Sequence, residues 1–294
     1  MMNHYRLRWP GGLNRAFTLS YDDGCREDMI LAEMMEKYGV KGTFNIIWNS
    51  LWPEDRPDPE KNPIRRNMRH SEFQEFIRRY EGQIEIANHT LTHPVLQTLT
   101  PGQRSYDLIA GRRELEKATG KLVRGFAFSM SHTDADLAME QVRLSGVAYV
   151  RTYNKKRDFA FSMDDPLALP STCHHTIPEE ELQCLADEFL AYPDARKKDC
   201  ALFFVWGHTY EFTNNNDWDK MERLLQKVGN REDVWYATCI EIADYVRAYR
   251  SLEFSVEGDR VYNPSAIPVY LKVFTDADEG KLYCIKPGTE TPLS

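Results

Sequence analysis

Short apolar segments alternate with helix-like segments along most of this 294-residue chain. Such alternation is typical of parallel α/β folds, because each helix returns the chain to the same edge of the sheet. The pattern predicts seven strands, at residues 16–21, 42–47, 83–88, 123–128, 146–151, 201–206 and 233–237. It predicts helices at residues 26–38, 71–80, 103–119, 134–145, 179–191, 217–228 and 240–250. This order of elements indicates a parallel α/β barrel or an open parallel sheet.

Residues 251–294 have a different pattern, in which alternating apolar residues are interrupted by turn signals. They predict a small antiparallel β appendage, too short to fold independently. The predicted domains are therefore a barrel over residues 1–250 and a β-rich extension over residues 251–294. The extension could enlarge a substrate surface, cover a barrel edge or form a homo-oligomer contact, and the sequence leaves these roles open.

Composition and charge argue against several classes of partner and location. A hydrophobic content of 42% is enough for one large core with a small addition. A formal charge of −8 argues against nucleic acid or an anionic membrane surface, since both normally require a basic patch. Residues 1–20 contain no secretory apolar region and no segment approaches the roughly 18 apolar residues of a membrane span, so a cytoplasmic location is expected. The six cysteines contain no CxxC pair, which predicts reduced thiols.

Two adjacent carboxylates, Asp22 and Asp23, follow the predicted strand at 16–21 and precede Gly24. Neighbouring acids at the end of an apolar strand repel each other and need a cation or hydrogen-bond donors to remain ionised. The pair therefore indicates a metal or an arginine nearby. The alternative is a solvated turn, because Asp-Asp-Gly is also ordinary turn chemistry.

Two histidines, His89 and His93, follow the predicted strand at 83–88 in a loop that contains Pro94. Imidazole nitrogen and carboxylate oxygen are ligands of zinc and similar cations, and three protein ligands are typical of a catalytic metal site. Together with the acid pair, the histidines predict a divalent metal site, with zinc as the first choice and cobalt, nickel or manganese as alternatives. Two unrelated surface histidines are the simpler interpretation of the motif alone.

These two motifs resemble those of the NodB-homology family of polysaccharide deacetylases, which are metal-dependent enzymes that remove acetyl groups from carbohydrates. The family's Thr-Phe-Asp-Asp-Gly corresponds to residues 20–24, and its His-Ser/Thr-x-x-His corresponds to residues 89–93. The resemblance implies a distorted (β/α)7 barrel over most of the first 250 residues. It implies that Asp22 is the general base and that Asp23, His89 and His93 bind the metal. It also implies that Thr90 braces the histidine loop through a side-chain to backbone hydrogen bond.

The family's third motif, Arg-x-Pro-Tyr/Phe-Gly, has only a partial counterpart at residues 124–130, where the proline and the final glycine are missing. By resemblance, Arg124 is the candidate partner of Asp22, and a backbone amide near residues 128–130 is the candidate donor to the oxyanion. The alternative for Arg124 is a solvated charge at the start of a strand.

The family's last motif, an apolar residue followed by histidine, matches the segment 201–212 in context. His208 is the predicted proton donor, because the pKa of imidazole lies near neutrality. A structural histidine is the alternative. Trp206 is predicted to form the floor of the substrate pocket or to lie in the core, and Glu211 is predicted to orient His208 or to bind a sugar hydroxyl.

Two further loops are candidates for the pocket rim. Residues 48–70 form a proline-rich segment that is too long for a simple connection. Within it, Trp48 and Trp52 are predicted either to stack on sugar rings or to pack the loop against the barrel. His174 and His175 lie in a polar loop, which is either part of the rim or plain surface.

The resemblance implies a metal-dependent hydrolase that removes acetyl groups from an N- or O-acetylated carbohydrate. A cytoplasmic enzyme would act on soluble sugars, oligosaccharides or precursors. An alternative within the same barrel is hydrolysis of a non-carbohydrate amide or cyclic ureide. A catalytically silent carbohydrate-binding protein is the alternative outside enzymes, although a pure binding site has no need for a free base beside a metal.

Overall fold

A nine-stranded parallel sheet forms the centre of the molecule. The computed structural model describes residues 4–57, 65–130, 142–153, 158–159, 167–195, 198–275 and 280–293. The sheet strands are β2 (Arg15–Asp23), β3 (Gly42–Ile46), β4 (Ile84–Asn88), β5 (Gly125–Ala127), β6 (Tyr149–Tyr153), β7 (Ala168–Ser171), β8 (Cys173–His174), β9 (Ala201–Gly207) and β10 (Val234–Tyr236). Their order is β7-β6-β5-β4-β3-β2-β9-β8, with β10 paired to β2.

The sheet is closed into a barrel by the short segment 168–174. β7 pairs with β6 and β8 pairs with β9, so the two ends of the strand order are joined by the single residue Thr172. The backbone N–H of Thr172 donates to the Phe204 carbonyl at 2.8 Å. β10 lies off this order, so counting β7 and β8 as one interrupted strand gives seven strands around the barrel. The predicted distorted (β/α)7 barrel is confirmed.

The strand predictions hold for all seven predicted strands, with shifts at their ends. β6 begins at Tyr149 rather than at residue 146, because Gly146 has a positive φ of 74° and belongs to the preceding turn. This shift places Arg151 inside the strand. The sequence missed β7 and β8, which are short, and β1 (His4–Arg8), which lies outside the barrel.

Helices cover the outside of the barrel. The described helices are α1 (Asp28–Lys37), α2 (His70–Arg79), α3 (Pro101–Thr119), α4 (Glu179–Leu190), α5 (Thr209–Asn215), α6 (Trp218–Val228) and α7 (Cys239–Arg250). Each of the six predicted helices that can be compared is present, and α5 is additional. The predicted helix at 134–145 lies largely outside the described residues. Within the described part of the chain, no helix is long and apolar enough to span a membrane.

The C-terminal residues form two small antiparallel sheets. The strands are β11 (Glu253–Phe254), β12 (Arg260–Tyr262), β13 (Val269–Phe274), β14 (Lys281–Ile285) and β15 (Glu290–Pro292). β1 pairs with β13, so the start of the chain is part of this appendage. Leu271 and Ile285 share one buried cluster with Phe204 of the barrel and Ile242 of α7. The appendage therefore packs on the barrel through a common core.

Candidate active site

All the predicted catalytic and metal-binding residues except Arg124 meet at the carboxyl ends of the barrel strands. Asp22 and Asp23 are the last two residues of β2, His89 follows β4 directly, and His208 follows β9 directly. The carboxyl ends of parallel strands lie at one face of a barrel, which is where the loops can form a shared site. The structure thus brings together residues that are 186 positions apart in the chain.

Asp22 is a buried carboxylate held by an arginine. Its two oxygens accept hydrogen bonds of 2.6 and 2.7 Å from the guanidinium of Arg151, and Oδ1 also accepts one of 2.8 Å from Asn45 Nδ2. Burial alone would raise the pKa of Asp22, but the Arg151 charge and its hydrogen bonds outweigh this and hold the pKa well below its usual range. Asp22 is therefore ionised at neutral pH and is oriented on both oxygens.

Asp23 has a backbone conformation that non-glycine residues seldom adopt, with φ of 86°. Such strain is often retained at functional sites, where it fixes the direction of a side chain. Here Oδ2 accepts a 2.5 Å hydrogen bond from Arg65, while Oδ1 is buried with no hydrogen-bond partner among the described residues. Oδ1 lies 3.7 Å from Nε2 of His89 and 3.7 Å from Nε2 of His93.

The histidine loop is fixed by hydrogen bonds from inside the loop and from α3. The backbone N–H of His93 donates to Thr90 Oγ1 at 2.9 Å, which confirms the predicted bracing role of Thr90. Asp107 of α3 accepts from the backbone N–H of Leu91 at 2.8 Å and from the Thr92 hydroxyl at 2.6 Å. Thr90 and His93 both have positive φ, at 73° and 58°. The loop is therefore a tightly constrained turn.

The three residues Asp23, His89 and His93 fit a divalent cation. Zinc binds imidazole nitrogen and carboxylate oxygen at about 2.0–2.2 Å, so adjacent ligand atoms of a tetrahedral site lie about 3.4 Å apart. The observed separations of 3.7 Å are close to this value, and the orphaned Oδ1 of Asp23 is the atom they share. Nδ1 of His89 lies 2.9 Å from the Ala127 carbonyl, which is the outer contact that orients a ligating imidazole. Burial and the neighbouring His89 lower the pKa of His93 to about 4, which keeps its imidazole neutral.

His208 directly follows β9 and contacts Glu211. Its Nδ1 is 3.3 Å from Glu211 Oε2, and its backbone N–H donates to the same oxygen at 3.3 Å. Burial lowers the pKa of His208, but the contact with Glu211 and the negative charges of Asp22 and Asp23 raise it by more, so the net direction is upward. The predicted contact between Glu211 and His208 is present.

The predicted pairing of Arg124 with Asp22 is wrong. Arg124 precedes β5, at the amino end of the barrel, and makes two 2.7 Å hydrogen bonds with Asp244 of α7. Because Asp22 is at the carboxyl end of β2, the two residues lie at opposite faces of the barrel. Arg151 of β6 occupies the position expected for Arg124.

The tryptophans predicted to contact substrate make contacts within the protein. The Arg151 guanidinium lies 4.3 Å from the ring centroid of Trp206, so Trp206 supports the arginine that holds Asp22. Trp48 packs against the His70 ring at 5.0 Å. Trp52 is buried, with Arg56 4.4 Å from its ring centroid, and this favours packing of the loop. Sugar contacts of Trp206 and Trp48 stay predictions.

Sequence reasoning missed three residues of the site. These are Asn45 and Arg151, which bind Asp22, and Arg65, which binds Asp23. Arg151 carried a readable signal, since it lies in the apolar run 147–153 and a buried arginine needs an acidic partner. Arg65 follows a charged loop and carried no such signal.

The fold and the site define a parallel (β/α) barrel with a buried carboxylate and imidazole cluster at the carboxyl ends of its strands. Residues 12–150, just under half of the chain, match the family model described as polysaccharide deacetylase. The resemblance to the NodB-homology deacetylases is therefore confirmed. The matched segment contains Asp22, Asp23, His89 and His93, and it ends one residue before Arg151.

Two solved structures share the barrel. An inferred polysaccharide deacetylase from Mycobacterium smegmatis is 15% identical, with a TM-score of 0.56 over 83% of this chain and 94% of the other. An inferred polysaccharide deacetylase from Pseudomonas aeruginosa is 14% identical, with a TM-score of 0.58 over 83% of this chain and 93% of the other. At these identities the likeness concerns the fold. No curated protein sequence matches the chain.

Proposed function

We propose that this protein is a metal-dependent hydrolase that removes acetyl groups from an N- or O-acetylated carbohydrate. The proposal rests on one observation: two adjacent carboxylates have different partners. Both oxygens of Asp22 accept hydrogen bonds, from Arg151 and Asn45, and Oδ2 lies 3.8 Å from His89 Nε2. Oδ1 of Asp23 has no hydrogen-bond partner among the described residues and lies 3.7 Å from Nε2 of both His89 and His93. One acid is thus placed to act as a base and the other as a metal ligand.

Each side chain has a defined task in this reaction. Asp23, His89 and His93 would hold a divalent cation, which when bound would supply Lewis-acid polarisation of the acetyl carbonyl and lower the pKa of water. Asp22 accepts the proton of the attacking water, and Arg151 keeps this carboxylate ionised and aimed. His208 donates a proton to the departing amine or alcohol, and its contact with Glu211 favours the protonated imidazole. The backbone amides at 128–130, which follow β5 and adjoin the histidine loop through the Ser129 to Pro94 hydrogen bond, stay candidates for the oxyanion donor.

The experiment is acetate release by protein loaded with zinc or cobalt, with a chelated sample as control. The substrates are N-acetylated monosaccharides, chitooligosaccharides, peptidoglycan fragments and acetylated xylan. Acetate that depends on the metal and is lost in Asp22→Asn supports the proposal and identifies the substrate class. A metal-loaded protein that releases no acetate from any of them would overturn it.

One observation supports a second candidate reaction. The third motif of the family is incomplete, and its arginine is replaced in space by Arg151 from a different strand. The arginine beside the proposed base therefore differs from the family motif, which favours hydrolysis of a non-carbohydrate amide or a cyclic ureide as the second candidate. Adding a cyclic ureide to the substrate panel tests this reaction directly.

The proposal includes three further predictions: zinc as the native metal, a cytoplasmic location and a homo-oligomer.

A further inference from the structure

A second cluster of metal-ligand side chains lies beside the catalytic residues. It consists of His174, the last residue of β8, His175, which follows it, and Glu211 in the first turn of α5. One ligand atom from each residue can be chosen such that all three lie within 4.8 Å of one another. This cluster shares no residue with the set formed by Asp23, His89 and His93.

The spacing of the second cluster is that of a coordination shell. Glu211 Oε2 lies 3.2 Å from His175 Nε2 and 3.7 Å from His174 Nε2. Adjacent ligands of tetrahedral zinc are about 3.4 Å apart. The two separations in the first cluster are both 3.7 Å. The separations in the second cluster are therefore as close to the expected value as those in the first.

His175 provides an independent indication of a ligand. Its side chain is 1% exposed, and neither ring nitrogen has a hydrogen-bond partner among the described residues. Burying a polar nitrogen without a partner is costly, and such atoms are uncommon in folded proteins. On the Nδ1 side the ring packs against Gly207, where an added Cβ would lie 1.9 Å from Nδ1. The Nε2 side instead faces Glu211, so Nε2 is the atom positioned to bind an ion.

The imidazoles are held in place by contacts outside the cluster. The His175 ring is stacked between Phe212, at 4.0 Å between centroids, and Tyr21, at 5.6 Å. Nδ1 of His174 lies 2.8 Å from Thr176 Oγ1, which directs Nε2 of the same ring toward Glu211. An outer hydrogen bond of this kind is typical of ligating histidines.

We propose that His174, His175 and Glu211 form a second binding site for a divalent cation of the zinc type, next to the metal site of the proposed reaction. Two imidazoles and one carboxylate are the ligands that this class of cation prefers. The inference does not depend on the reaction, because metal binding is measured directly. With an ion at Nε2, Nδ1 of His174 would carry the proton and donate it to Thr176 Oγ1. The Thr176 backbone N–H, 3.2 Å from the same nitrogen, favours the opposite tautomer when no ion is bound.

The test is the number of zinc ions bound per chain, measured by elemental analysis after equilibrium dialysis of the full chain without a polyhistidine tag. We expect two ions in the unmodified protein, one in His174→Ala, one in His93→Ala and none in the double variant. His70→Ala is the matched control, because His70 lies in neither cluster, and it should keep two ions. One ion at saturating zinc that is lost in His93→Ala and kept in His174→Ala would overturn the proposal, as would a second ion that persists in both His174→Ala and Glu211→Gln.

Cobalt absorption gives a second measurement that does not rely on counting. Stripped His93→Ala protein titrated with Co²⁺ should develop the visible bands of a nitrogen and oxygen site, and the additional His174→Ala change should abolish them. Circular dichroism of each variant checks that it is folded. If His93→Ala fails to fold, Asp23→Asn replaces it as the variant with a disabled first site. Bands that survive the loss of His174 would contradict the proposed ligands.

Discussion

Asp22 and Asp23 are adjacent in the chain, yet the structure gives them different partners. We predict that Asp22→Asn keeps the bound metal and lowers turnover by about two to four decades, the usual contribution of a catalytic base. The amide is nearly isosteric and leaves Asp23, His89 and His93 in place, whereas His93→Ala should lose both metal and turnover. Metal content and kcat of the two variants, measured in parallel, check this. Near-normal turnover in Asp22→Asn would refute the assignment of the base.

Substitutions of Arg151 and Arg124 test which of the two arginines pairs with Asp22. Arg151→Gln removes the partner of a buried carboxylate, and losing one member of a buried ion pair costs about 3–5 kcal/mol of stability. It should also raise the pKa of Asp22 and reduce kcat strongly, because the base is less ionised and less oriented. Arg124→Gln breaks a more exposed pair with Asp244 at the other face of the barrel. It should leave kcat within about twofold; equal losses in the two variants would contradict this assignment.

The element that fixes the histidine loop is α3, and Gly111 lies where this helix meets the loop. A Cβ added to Gly111 would lie 2.8 Å from the backbone N of Leu91 and 2.8 Å from the carbonyl carbon of Thr90. We predict that Gly111→Ala displaces the histidine loop and weakens metal binding by about 10- to 100-fold, the range seen when the support of a ligand is lost. Competition with a chromogenic chelator measures the affinity.

A second glycine of the same helix is the control. A Cβ on Gly102 would meet no atom within 4 Å, so Gly102→Ala should keep the metal affinity. Alanine is favoured over glycine in helices by about 1 kcal/mol, so this variant should be as stable as the unmodified protein or slightly more stable. Loss of metal in both variants would contradict this prediction. It would show that any substitution in α3, and not only one at its contact with the histidine loop, weakens metal binding.

The elements and site residues that the sequence predicted are those encoded by local pattern. Short motifs directly after apolar strands contain Asp22, Asp23, His89 and His93. Their place at the carboxyl ends of the strands could therefore be predicted from the sequence. Arg151 contacts Asp22 across 129 residues, and no local pattern specifies such a pairing. The error at Arg124 came from resemblance alone: β5 begins at Gly125, so the arginine precedes the strand and lies at the wrong face. The sequence also missed β7 and β8, the strands on either side of Thr172 that close the barrel. They contain four and two residues, too few to show a periodic pattern.

At the scale of the whole molecule, the face of the barrel opposite the candidate active site contains a partly buried acid, Glu85. Glu85 of β4 accepts hydrogen bonds of 2.8 Å from Thr43 Oγ1, 2.8 Å from the Ile240 backbone N–H and 2.9 Å from the Tyr149 hydroxyl. Burial raises the pKa of Glu85 to about 7, and these three donors only partly offset the increase. The folded protein therefore binds this proton more tightly than the unfolded chain does.

We therefore predict that Glu85 makes the free energy of unfolding decrease as the pH rises. Between the unfolded pKa near 4.5 and the folded value near 7, the folded state holds more protons, so the free energy of unfolding decreases with pH across this window. The contribution is about 1–3 kcal/mol, allowing for partial solvent access to the side chain. Glu85→Gln cannot ionise and should flatten the pH dependence between pH 5 and pH 7.5. Urea unfolding at several pH values measures the slope, with the exposed Glu81→Gln as a control that should retain it; an unchanged slope in Glu85→Gln would show that the carboxyl of Glu85 is ionised in the folded barrel throughout this range.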